Sequence, residues 1–79
     1  MEDKIVLGMV LSELSLRDIK EEIADISRDI NLIIDYEIGD LTYSEFKKEC
    51  LSFEPSDKTK LIEAKEILLN EVKNRNDGF

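Results

Sequence analysis

Four carboxylates are the residues of this chain whose type and spacing could do chemistry. Asp18, Glu22, Asp25 and Asp29 follow one another at intervals of 4, 3 and 4 residues, the spacing at which side chains share one face of a helix. The plainest use of such a row is a solvated polar face, partly neutralised by lysines of a neighbouring helix. A second use is docking. An ordered negative edge speeds and orients the approach of a basic partner, either a cationic protein or the nucleic-acid site of an enzyme that the edge mimics. A third use is holding a hard divalent cation, which takes oxygen ligands. One helix supplies too few ligands for that, so a second acidic helix would have to face it. The row is costly in isolation. Asp18–Glu22, Glu21–Asp25 and Asp25–Asp29 are like-charged i,i+4 pairs, each destabilising a helix by about 0.2–0.5 kcal/mol, and Arg17 and Arg28 offset only part of this.

Other chemistries find little support. The chain has no His and one Cys, so the usual general base, a thiolate zinc site and an intrachain disulfide are all excluded. The serines at 12, 15, 27, 44, 52 and 56 have no His to activate them, and neither a G-x-S-x-G turn nor a phosphate-cradling Gly loop occurs. Cys50 reads as a small buried apolar residue on a helix; Lys47 and Lys48 are near, but no helix start is close enough to lower its pKa. No catalytic residue, metal ligand or cofactor is assigned.

Composition narrows the field further. With 19 Asp+Glu against 11 Lys+Arg the net charge is -8, which disfavours any direct grip on a nucleic-acid backbone. All of the excess lies in residues 1–46, which carry twelve acids and four bases; residues 47–79 are balanced. The longest apolar run, Ile5 to Leu11, is far too short to span a membrane. The start, Met1-Glu2-Asp3-Lys4, does not resemble a signal peptide, and the lone Cys suits a reducing compartment, so a cytoplasmic location is expected. Ten Ile and ten Leu, with few Gly or Pro, point to helices rather than a turn-rich β protein.

The elements that must position the acidic row follow from periodicity. Leu16, Ile19, Ile23, Ile26, Ile30 and Ile33 are spaced 3, 4, 3, 4, 3, an unbroken apolar seam that predicts a helix over 16–37. Each of Asp18, Glu22, Asp25 and Asp29 stands one position before a seam isoleucine. Ser15 with Asp18 predicts the N-cap, and Gly39 the stop. Thr42 with Glu45 predicts a capping box opening a short helix to Ser52, with Tyr43, Phe46 and Cys50 on its apolar face. Leu51 and Phe53 are expected to pack the connection. Pro55 interrupts, and Ser56 is expected to cap a last helix over 57–74, striped by Leu61, Ala64, Leu68 and Val72. The tail from about residue 75 is expected to fray. In the first segment Leu7, Leu11 and Leu14 fall at i, i+4, i+7, with Asp3 able to cap, which favours a helix over 3–14. The same apolar run would suit a buried strand, but no second strand is apparent to pair with it.

Lys20-Glu21-Glu22-Ile23-Ala24-Asp25-Ile26 resembles the acidic helix of the all-α nucleotide pyrophosphatases of the MazG type. The resemblance implies magnesium-dependent release of pyrophosphate, with Glu21, Glu22 and Asp25 at the metal. That family uses a second acidic helix upstream, where residues 1–14 offer only Glu2, Asp3 and Glu13. Gly39 to Phe46 is similar to the end of a calcium-binding EF-hand loop, yet the preceding ligand positions would be Ile34, Tyr36 and Ile38, so the segment reads as capping.

The chain is therefore expected to be a single all-α domain over 1–79, of three or four helices around the long 16–37 helix. A seam this rich in Ile is hard to cover with the shorter helices expected beside it. A homodimeric bundle is expected, with Leu16, Ile19, Ile23, Ile26, Ile30 and Ile33 at the oligomer interface. The expected function is non-enzymatic: a small acidic regulator or inhibitor whose Asp18, Glu22, Asp25 and Asp29 dock a basic protein partner. The alternatives are the magnesium-dependent nucleotide hydrolase and a purely structural oligomerisation module.

Overall fold

The structure is a computed structural model that describes residues 4–77. Its elements are a two-stranded hairpin, β1 (Ile5–Val6) and β2 (Met9–Val10), a 3-10 turn at Leu11–Glu13, α1 (Leu16–Glu37), α2 (Tyr43–Glu49), a 3-10 turn at Pro55–Asp57, and α3 (Lys58–Asp77). The molecule is mostly helical, as its composition predicts.

The long helix occupies the predicted residues because both its ends are encoded locally. At Ser15 the capping box is complete: Oγ accepts from the Asp18 N–H at 3.1 Å, and the Asp18 carboxylate accepts from the Ser15 N–H at 3.2 Å. At the other end Gly39 adopts φ 90°, a left-handed conformation that costs glycine nothing. The Gly39 N–H reaches the Tyr36 carbonyl at 3.2 Å and the Asp40 N–H the Asp35 carbonyl at 2.8 Å, the paired bonds of a Schellman ending. Thr42 and Glu45 make the second predicted box, with bonds of 3.0 and 3.2 Å.

The first segment corrects the helix predicted over 3–14. Residues 5–10 form an antiparallel hairpin, with Ile5 opposite Val10 and Val6 opposite Met9. The second strand lies inside the same apolar run as the first. Leu7 and Gly8 turn the chain with φ 50° and 83°, the double positive φ of a tight hairpin turn. In a helix Gly8 would cost about 1 kcal/mol relative to Ala; in the turn it is the residue required. The Asp3 cap lies outside the described residues.

Two more boundaries differ. The second helix ends at Glu49 rather than Ser52, and Cys50 takes an extended conformation as its C-cap. Leu51 consequently does not pack the connection but stands 81% exposed, while Phe53 packs partly against the core. The last helix is entered from Glu54, not Ser56. Pro55 supplies the first residue of its leading 3-10 turn, where a missing N–H is harmless, and the Asp57 carboxylate accepts from the Glu54 N–H at 2.9 Å. The helix continues beyond Asn74 to Asp77.

α1 and α3 lie antiparallel. Lys58 Nζ meets Glu37 Oε1 at 2.8 Å at one end, and Arg75 reaches the Leu14 carbonyl at 2.7 Å at the other. Ile19, Ile26, Ile30 and Ile33 of α1 share one buried cluster with Leu61, Ala64 and Leu68 of α3, joined by Phe46, Cys50, Val6 and Leu11. The seam expected to need a second copy is thus covered within the chain for these four isoleucines; Ile23 is half-buried against the same core, and Leu16 at the helix start is half-buried beside Arg17 and Lys20 rather than in it. The physical reason is length: α3 has 20 residues against 22 in α1, so it runs beside nearly the whole seam. The result is a rod of 44 × 22 × 18 Å with a radius of gyration of 14.1 Å, against about 12 Å for a compact globule of this length.

Candidate functional site

The buried row of α1 divides its remaining surface into two flanks. Residues one position before the row emerge on one flank, residues one position after it on the other. The acids are on the first. Because α1 and α3 are antiparallel and face each other, the position-before residues of α3 emerge on that same side. There they add Glu63 and Glu71 to the acids, with Lys60 and Ile67.

α2 identifies this side in space. Tyr36 makes ring contacts with Tyr43 and Phe46 at centroid distances of 6.0 Å, and Arg28 pairs with Glu49 at 3.5 Å. Cys50 lies beside Asp29. α2 therefore covers the half of the acidic flank nearest Gly39, and the four predicted docking residues end up in different surroundings. Asp18 is exposed but tied into the Ser15 cap. Glu22 is half-buried and Asp25 exposed. Asp29 is half-buried; burial pushes its carboxyl above its ordinary 3.8, with Cys50 and Arg28 pulling back and Asp25 adding to the rise. Among the described residues none of the four forms an ion pair. The basic groups of α1 are engaged elsewhere, Arg17 with Glu21 at 3.3 Å and Arg28 with Glu49, so the charge of the row stands uncompensated by direct contact.

The arrangement offers little to metal or nucleophilic chemistry. Among the described residues no three Cys, Asp or Glu side chains gather as a group that could hold a metal ion. The pyrophosphatase-like run is divided: Glu21 points outward to Arg17 while Glu22 and Asp25 turn toward the flank. The upstream segment, which that family would need as a second acidic helix, is the hairpin. Cys50 is buried as its composition implied, though at a helix end. Burial pushes its thiol above 9.0, and the Asp29 carboxylate pushes the same way. A high thiol pKa opposes nucleophilic use.

Two constellations were not legible beforehand. Arg75 donates from Nη1 to the Leu14 carbonyl at 2.7 Å, from Nη2 to the Leu11 carbonyl at 3.2 Å, and from Nε to Glu71 at 2.9 Å. It thereby holds the turn after the hairpin against α3. Glu54 gathers the Tyr43 hydroxyl at 2.7 Å and Lys47 Nζ at 3.0 Å. Those two partners hold its carboxyl below the ordinary 4.5. The same contact occupies Lys47, which also donates to the Phe53 carbonyl at 3.2 Å, leaving Lys48 as the freer of the two lysines near Cys50. Only the i,i+4 spacing of Glu71 and Arg75 signalled any of this in the sequence.

The fold and the flank define a small, mostly helical protein with an ordered acidic edge beside a packed helix pair. No protein-family model matches the chain, and no curated protein or solved structure matches it. No described helix is long and apolar enough to cross a membrane.

Proposed function

We propose that the protein is a non-enzymatic interaction module whose acidic flank docks a basic surface of another protein, as a regulator or inhibitor of that partner. The observation that carries this reading is the segregation of charge: Asp18, Glu22, Asp25 and Asp29 share one side of the α1/α3 pair with Glu63 and Glu71, and the four make no internal ion pair among the described residues. Like charges held together cost helix stability. A complementary basic surface converts that cost into association energy and orients the encounter.

The four acids do not contribute equally. Asp18 serves the cap and Asp29 lies against Cys50 with its carboxyl desolvated, so the exposed Asp25 and the half-buried Glu22, neither tied into a cap or an ion pair among the described residues, are the pair to reverse. The test uses immobilised wild-type chain and a Glu22→Lys/Asp25→Lys variant to recover a partner from native-host extract. The docking role requires recovery by the wild type, loss with the variant, and weakening as salt is raised. Equal recovery by both would discard it.

A further inference from the structure

Ile19 is fully buried, yet α3 offers it no apolar partner at its own height. The Glu37–Lys58 contact aligns the two helices. With equal rise per residue, α3 has reached Asn76 beside Ile19, and its last apolar residue, Val72, lies about one turn back. The apolar side chains left to cover this end of the pair are Val6 and Leu11, buried in the same cluster, with Leu7 and Leu14 packed against it. Residues 4–14 are thus the cover, but they are bonded chiefly to themselves. The two strands pair with each other, the Leu11 N–H donates to the Lys4 carbonyl at 2.8 Å, and the Leu14 N–H donates to the Leu11 carbonyl at 3.2 Å. Among the described residues, the two bonds from Arg75 are the only hydrogen bonds that tie this segment to the helices.

We propose that residues 4–14 form a strap that opens as one unit about Leu14–Ser15, with Arg75 as its latch, and uncovers the Ile19 end of the helix pair while the helices stay folded. The hinge is extended chain: Leu14 has φ -85° and ψ 133°, Ser15 φ -72° and ψ 163°. The start of α1 is secured by Ser15 and Asp18 alone, at 3.1 and 3.2 Å, so the helix keeps its cap when the strap leaves. What opposes opening is the burial of Val6 and Leu11 and the two bonds of the latch. Ile30, Ile33, Phe46 and Leu61 belong to the same cluster but lie further along the pair, and they remain covered by the helices. A segment anchored by so few buried side chains opens at a lower free energy than the whole molecule. Opening sets Ile19 in solvent next to Asp18, on the half of the acidic flank that α2 leaves clear. The strap is a property of the fold and does not rest on the docking role proposed above.

The experiment is native-state hydrogen exchange of the full chain, followed residue by residue by NMR at urea concentrations below the unfolding transition. In the wild type the Leu11 and Leu14 amides should open at a lower free energy, and with a smaller urea dependence, than those of Ile30 and Ile33. Ile23, inside α1, should exchange more slowly than Leu11. Arg75→Ala should speed exchange at Leu11 at least about tenfold, through loss of two bonds from a charged donor, and Arg17→Ala should leave it unchanged. A free energy and urea dependence at Leu11 equal to those at Ile30 overturn the proposal, because the segment then opens only with the whole molecule. Ile23 exchanging together with Leu11 removes the hinge at Leu14–Ser15 and the strap with it. The wild-type profile decides both points without any variant. Exchange at Leu11 unmoved by Arg75→Ala overturns the latch and with it the proposed device.

Discussion

Arg75→Ala is the substitution from which most is learned about what holds this fold together. The guanidinium bridges two backbone carbonyls, at 2.7 and 3.2 Å, across more than sixty residues of chain. Hydrogen bonds from a charged donor contribute about 1.5–3 kcal/mol each when well sheltered. Here the Arg75 side chain is 27% exposed, and water can reach the vacated carbonyls, so the two together are worth about 2 kcal/mol. The ion pair with Glu71 adds no more than about 0.5 kcal/mol. For a domain of this size each kcal/mol moves the thermal midpoint by about 4–8 °C, so a drop of about 8–16 °C is expected. Arg75→Lys should lose about half as much, because one ammonium cannot span both carbonyls as the planar fork does. Thermal and urea unfolding followed by circular dichroism measure these differences, with Arg17→Ala as the control at a solvent-exposed pair. Amide exchange adds a local readout: the Leu11 and Leu14 N–H groups, bonded to Lys4 and Leu11 carbonyls, should exchange faster in Arg75→Ala. If Arg75→Ala and Arg17→Ala unfold within about 0.5 kcal/mol of each other, the clasp does not stabilise the fold and the reasoning fails.

Gly39→Ala should destabilise by about 1 kcal/mol, because a Cβ meets open space there but must adopt φ 90°; a urea midpoint equal to that of the wild type would contradict the Schellman ending. Glu45 and Glu54 are held below the ordinary 4.5 by Thr42 and by Tyr43 with Lys47. The stability they supply is present above 4.5 and lost as pH falls through their lowered folded values, so Glu54→Gln should flatten the acid limb of the stability–pH profile. Asp29 has the opposite sign: its folded pKa is raised, so ionisation costs stability as pH rises from 3.8 through the folded value, and Asp29→Asn should be no less stable than wild type at neutral pH. With burial and Asp29 both raising the Cys50 thiol, alkylation in the folded protein should lag far behind that of the urea-unfolded chain at the same pH; equal rates would place the sulfur at the surface.

What could be read from the sequence was what is encoded within a turn or two of chain. The bounds of α1 follow from Ser15, Asp18 and Gly39 acting on their immediate neighbours, and its buried face from strict 3-4 spacing. Thr42 and Glu45 start α2 for the same reason. The hairpin was missed because Leu7, Leu11 and Leu14 mimic a helical row while a single Gly8 marks the turn. Its strands are two residues each, too short for alternation to register. The reach of α3 was underestimated because Arg75 is held by carbonyls more than sixty positions away, which no local pattern encodes. The acidic row is visible as a row, but its division into a capping residue, an exposed carboxylate at Asp25, a half-buried one at Glu22 and one desolvated against Cys50 depends on where α2 lands.

The clasp at Arg75 also sets an order of events during synthesis. Val6 and Leu11 are buried in the finished protein, yet the helix that completes their cluster and the arginine that secures their turn are the last described parts of the chain to be made. Until α3 leaves the ribosome, the leading hairpin and the isoleucine face of α1 have no lasting cover. The core is therefore complete only once α3 has been made, and a nascent chain stalled before residue 75 would present an adhesive surface to chaperones.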